Sequence, residues 1–176
     1  MTYELKRLTT RNFEAALAKA STYRDLNQPE EAESICHDVL DVDAKNQHAL
    51  RILGLALTDR LAGPLARPSR EGAWVGLFEE AMAVFTKLED TYERAYYSGI
   101  AWERSAKAHL ERGEGHSALS SFEHAMELFE RAEKIGPEGA ADPILRHNRC
   151  VRLLTTHPLL LAAADAPRES AVHLGD

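Results

Sequence analysis

Eight histidines and 28 acidic residues give this 176-residue chain ample material for metal or acid–base chemistry. Spacing decides how much of it is usable. A zinc protease carries H-E-x-x-H and a di-metal carboxylate bundle E-x-x-H, because residues three or four apart share one helix face. Neither pattern occurs, nor does H-x-x-x-H. His147 and Cys150 stand three apart and could form half a zinc site, with two more ligands needed from elsewhere; a buried cysteine beside a surface histidine is the expected arrangement. Glu33 and His37, four apart, read as a helix-surface pair. No metal and no cofactor is expected.

Nucleophile and phosphate motifs are missing as well. There is no G-x-S-x-G, no G-x-x-x-x-G-K-[ST] and no G-x-G-x-x-G, and Gly113-Glu114-Gly115 is too short a break to cradle a phosphate. No residue is assigned a catalytic role. Arg146, Arg149 and Arg152 recur at steps of three near one helix face. Either they dock an acidic partner or, as expected here, they neutralise the glutamates of the preceding helix, Glu123, Glu127 and Glu130. Trp74, Trp102, Tyr96 and Tyr97 could line a small-ligand or enzyme pocket among the long helices, the alternative to a role as core.

The elements that must position these residues are helices. From Phe13 onward apolar residues recur every three or four positions, and no stretch alternates as a half-buried strand would. Ala118, Leu119, Phe122, Ala125, Met126, Phe129, Ala132 and Ile135 form one stripe, with Glu123, Glu127, Glu130 and Lys134 on the other side. Trp74, Leu77, Phe78, Ala81, Met82, Phe85 and Leu88 form another. Turn and cap signals set the boundaries: Asn27-Gln28-Pro29-Glu30-Glu31, Asp90-Thr91-Tyr92-Glu93, Arg112-Gly113, Asp142-Pro143 and His157-Pro158. The class is all-α, with seven helices expected near 13–26, 29–41, 47–60, 71–89, 91–112, 117–135 and 143–156. Gly63-Pro64 and Pro68-Ser69 mark a loop between the third and fourth.

Charge narrows the partners. The net charge is −7, and the excess lies in residues 71–140, where fourteen acids face seven bases; residues 1–70 hold ten of each and residues 141–176 four of each. Such a surface repels phosphate backbones, so neither nucleic acid nor an anionic membrane is an expected partner. Two cysteines 114 positions apart, a polar N-terminus and no apolar run of membrane-spanning length point to a cytoplasmic protein with reduced thiols. The run Leu159 to Ala164 should dock as a short helix over the last apolar groove; self-association as a homodimer is the other use open to it.

The helices also repeat. With Ala32, Ala81 and Ala118 aligned, Cys36, Phe85 and Phe122 fall four positions on. Ala16, Ala20 and Tyr23 then match Leu50, Gly54 and Leu57, and Trp102, Ala106 and His109; Ala20 and Gly54 are 34 positions apart. This resembles the tetratricopeptide (TPR) repeat, a 34-residue helix-turn-helix with W-x2-L-G-x2-Y, then A-x3-F, then P. The resemblance covers about residues 13–135 in degenerate form: Ala44 replaces the closing proline, the second unit is longer between Leu57 and Ala81, and the third has an elongated second helix. It implies a right-handed TPR-like superhelix over residues 1–158, with units 13–46, 47–89 and 91–135, a capping helix 143–156 and a tail 159–176.

The resemblance further implies a concave groove on the first helix of each unit. Its lining would be Glu14, Leu17, Ser21, Arg24 and Asp25; His48, Arg51, Leu55, Thr58 and Asp59; and Ile100, Glu103, Lys107, Leu110 and Glu111. Partner contact is expected at Leu17, Ser21, Arg24, His48, Arg51, Leu55, Glu103, Lys107 and Glu111. Family members that clamp a chaperone's C-terminal carboxylate use lysine, asparagine and arginine, where this chain has Leu17, Ser21, Ile52, Ile100 and Arg104. A chaperone-tail clamp is therefore not implied. The expected function is a protein–protein interaction module, an adaptor or regulatory subunit that holds a peptide or partner helix.

Overall fold

A computed structural model of the chain describes residues 2–61 and 73–166, the side chains of residues 73 and 74 excepted. Among the described residues the fold is all-α, with no strand. A 3-10 turn, Thr10–Asn12, leads into α1 (Phe13–Asp25), α2 (Pro29–Leu40), α3 (Gln47–Asp59), α4 (Ala73–Phe85), α5 (Thr91–Glu111), α6 (Gly115–Ile135), α7 (Asp142–Thr156) and α8 (Pro158–Asp165). None of these helices is long and apolar enough to cross a membrane.

Local chemistry explains the boundaries. Pro29 opens α2 with Glu30 and Glu31 in its first turn, where the helix dipole favours acids. The Asn46 side chain accepts a bond from the Ala49 amide at 3.0 Å, and Asp90 accepts from Tyr92 at 2.7 Å and Glu93 at 3.2 Å, so both helices start on a side-chain cap. Two helix ends share one design. Asn27 (φ 61°) closes α1, with the Gln28 amide donating to the Tyr23 carbonyl; Gly113 (φ 77°) closes α5, with Glu114 donating to His109. Each end also carries the inner bond of a Schellman motif, Asn27 to Arg24 and Gly113 to Leu110. Tyr23 and His109 are equivalent positions in the repeat alignment, so the two ends carry the same backbone device.

The eighth helix raises the count above the seven anticipated. It docks as expected: Leu160 is fully buried in the core beneath it, Ala163 is buried too, and α8 packs on α6 and α7. α6 starts at Gly115, two residues earlier than its periodicity suggests, and a Cβ there would lie 2.8 Å from the Leu159 carbonyl oxygen. Glycine at that position lets α8 approach. α4 ends at Phe85 rather than near residue 89, and the Gln47 side chain takes the Glu89 amide at 2.8 Å, tying the connection back to α3. The expected loop with Gly63-Pro64 and Pro68-Ser69, and the last residues of the tail, lie outside the described part.

Packing follows chain order. α1 packs on α2, α2 on α3, α3 on α4, α4 on α5, α5 on α6 and α6 on α7, while α3 also touches α1 on one side and α5 on the other. Two cores result. One gathers residues of α1 to α4 around Phe85, the other residues of α5 to α8 around Phe122 and Phe129, and both touch Leu55 and Tyr97. Helix pairs close on glycine: a Cβ on Gly54 would sit 2.3 Å from the Phe85 ring, and one on Gly99 2.6 Å from the Phe129 ring. Bare backbone at these points lets a phenyl ring settle on the opposing helix, removing it wholly from water at a gain of roughly 1.5–3 kcal/mol per ring.

Candidate functional site

The charged residues of the inner helices meet in two adjoining triads. In the first, Asp59 at the end of α3 receives Arg24 Nε from α1 at 2.7 Å and Arg104 Nη2 from α5 at 2.6 Å. Arg104 also donates to the Thr58 hydroxyl and, at 3.1 Å, to the Leu55 carbonyl. In the second, Glu103, 2% exposed, receives Lys107 Nζ from its own helix and Arg146 Nη1 from α7 at 2.7 Å. Arg146 also donates to the Tyr96 hydroxyl at 3.2 Å. Glu103 and Arg104 are consecutive, so α5 carries one member of each triad.

Electrostatics follow from that arrangement. Burial on its own would raise the Glu103 carboxyl, yet Lys107 and Arg146 hold it below the usual range. Arg104 is lowered, first by burial and then by the like charges of Arg24 and Arg146, against the pull of Asp59. Arg146 moves the other way: burial opposes its charge, and Glu103 more than restores it. Each carboxylate is shared by two cations, so the seam carries positive charge in excess of its acids.

An open cleft of about 550 Å³ lies along this seam. Arg24, Asp25, Thr58, Asp59, Lys107, Leu110 and Glu111, all expected along the groove, line it together. Arg104, which matches a clamp position of the family, lines it as well; Asn27, Arg149 and Leu153 line it too and were not anticipated there. Arg149 and Leu153 belong to α7, taken as a cap; Asn27 follows from the Schellman turn, whose Asn-Gln-Pro sequence is the one signal that marks it. Arg104 stands one residue from Glu103 on a helix whose inner face spans both.

The remaining groove positions separate. Leu17 is 3% exposed, Ile100 2% and Glu103 2%, so these three expected groove positions are buried and offer no surface. Ser21 and Leu55 are half-buried, and Leu55 packs against both cores. Arg51 pairs with Glu93 at 3.3 Å, and its Nε is buried without a hydrogen bond. His48 is exposed, its imidazole lowered by partial burial and then by Arg51. His48 and Arg51 lie toward the start of α3, while the cleft gathers at its end.

The arginine cluster also divides. Arg146 turns to Glu103 on α5 and not, as anticipated, to the glutamates of α6, because the Glu103 carboxylate is buried and needs a second cation. His147 of α7 stands beside α6 instead, its Nε2 3.3 Å from a Glu130 carboxylate oxygen without a hydrogen bond. Cys150, its partner in the hypothetical half zinc site, is fully buried, and burial pushes its thiol up to about 12; Cys36 is pushed to about 12 by the same cause. Among the described residues no group of three or more His, Cys, Asp and Glu stands in a metal-holding arrangement.

The aromatic residues form a chain across the helix pairs. Tyr97 stacks on Phe85 at 5.7 Å, Tyr96 on Tyr92 at 5.9 Å, and Trp102 on His124 at 4.6 Å with Phe78 edge-on at 4.8 Å. Tyr96 and Tyr97 join the cores; the Trp74 side chain lies outside the described part. In chemical terms the inner cleft offers guanidinium and ammonium groups, rim carboxylates and two leucines, a set suited to ion pairing and apolar contact. No protein-family model matches this chain, and neither a curated protein nor a solved structure matches it.

Proposed function

We propose that the chain is a TPR-like stack of helix pairs that works as a protein–protein interaction module, an adaptor or regulatory subunit, and that it holds an acidic peptide or partner helix in the cleft along α1, α3, α5 and α7. The observation that carries this is the stoichiometry of the seam: Asp59 faces Arg24 and Arg104, and Glu103 faces Lys107 and Arg146, two cations to each carboxylate. Arg149 adds a further cation to the lining, against Asp25 and Glu111. In a chain of net charge −7, the cleft lining thus carries four cations, Arg24, Arg104, Lys107 and Arg149, against three acids, Asp25, Asp59 and Glu111, an excess of one positive charge. Leu110 and Leu153 supply apolar contact beside them. Support for the stack comes from α3 lying between α1 and α5, and from the matching ends of α1 and α5.

The test is capture from the native cell extract with three baits: the unaltered chain, Lys107→Glu with Arg149→Glu, and Arg152→Glu. Arg152 is exposed and does not line the cleft. A protein held by the first and third baits and lost by the second supports the reading, and its binding should weaken with added salt. Equal retention by all three would overturn it.

A further inference from the structure

A second cleft, of about 430 Å³, opens on another side of α5, between α4 and α6. Its floor is made of small residues of α5: Ala95, 4% exposed, and Ser98, 6% exposed. Ser98 brings a hydroxyl to this floor. Met82 of α4 and Leu128 of α6 form the apolar walls.

The two ends differ. Gly99 opposes Phe129 and Trp102 opposes His124, so α5 and α6 run antiparallel, and Arg94 and Arg131 share the end remote from Trp102. The Trp102 indole is held by the stacked His124 ring, 16° from parallel, and by the edge of Phe78. At the other end Arg94 gives one N–H to the Leu88 carbonyl at 2.9 Å and keeps the rest of its five donors. Arg131 is exposed. With Glu127 as the acid on the wall, the guanidinium end carries one positive charge in excess.

We infer that this cleft binds a small planar aromatic carboxylate, its ring between Met82, Leu128 and Trp102 and its carboxylate toward Arg94 and Arg131, with Ser98 donating from the floor. Apolar walls with a few convergent polar groups are the usual make-up of a small-molecule site, and paired guanidiniums select a carboxylate over its neutral isostere. The site stands apart from the inner cleft and does not depend on the proposed function.

Isothermal titration of the full chain with 1-naphthoate and with the neutral 1-naphthamide tests it. Naphthoate should saturate one site and bind about tenfold more tightly than the amide, the worth of one charge-assisted hydrogen bond of about 1.4 kcal/mol. Arg131→Ala should remove that preference without moving the melting temperature, and Lys107→Ala in the inner cleft should leave it in place. No saturation by either probe, equal binding of the two, or loss of the preference in Lys107→Ala but not in Arg131→Ala would overturn the inference.

Discussion

The inner line of helices and the interfaces within helix pairs are held by different chemistry. Between α3 and α4, and between α5 and α6, a phenyl ring lies on a bare glycine backbone, and the contact is dry, close and insensitive to charge. Along α1, α3, α5 and α7 the helices are tied by shared carboxylates whose cations stay partly open to water: Arg24 is 19% exposed, Arg104 22% and Arg146 34%. The first kind of contact fixes the distance between helices and can do little else. The second leaves charge facing outward, so the dry contacts and the charged ones fall on different faces of the same helices.

Removing a ring should have the largest effect. Phe85→Ala or Phe129→Ala should cost about 3–5 kcal/mol in urea unfolding, with little dependence on pH or salt. Gly99→Ala should cost about 1–3 kcal/mol, because overpacking against Phe129 outweighs the better helix propensity of alanine. Adding Phe129→Leu to Gly99→Ala should make the pair less destabilised than the two single changes combined; strict additivity would show that the ring and glycine are not in contact.

The ionic seam should respond less, and in a different manner. Glu103→Gln should cost about 1–3 kcal/mol near neutral pH, since Lys107 and Arg146 lose their shared carboxylate. Glu103 is held below its ordinary value in the folded chain, so its contribution is full above the unfolded carboxylate range and is lost as pH falls through the folded value. Melting temperatures of the unaltered chain and of Glu103→Gln should therefore converge in acid; a gap that widened there would contradict the assignment. Arg24→Ala, at a partly exposed pair, should cost at most about 1 kcal/mol and less at high salt.

The same division separates what is legible in the sequence from what is not. Dry packing leaves a local pattern, because small and large apolar residues recur at helical spacing; hence Ala32, Phe85, Ala118 and Phe122, all expected to face inward, are fully buried. Caps and turns are local too, which makes Asp90 and Gly113 readable. Gly99 and Phe129 lie about two turns from the motif pair Ala106 and Phe122, where the elongated helices extend past the repeat. Ion pairs leave no such trace. Arg24 and Asp59 are separated by 35 positions, Arg104 and Thr58 by 46, and Arg146 and Glu103 by 43, and no spacing rule links residues that distant. Leu17 is a different case: the family resemblance put it in the groove, whereas its spacing with Phe13, Ala16, Ala20 and Tyr23 marks the apolar stripe of α1 that packs into the first core.

The most direct test of the account is a nuclear magnetic resonance titration of the isotope-labelled chain with a short leucine-containing polyglutamate peptide and with its polylysine counterpart. The seam's excess of cations predicts that the acidic peptide shifts the signals of Arg24, Arg104, Lys107 and Arg149 and those of Leu110 and Leu153, that salt reverses the shifts, and that the basic peptide leaves them unmoved. No shift with the acidic peptide, or equal shifts at these residues with both peptides, would contradict it.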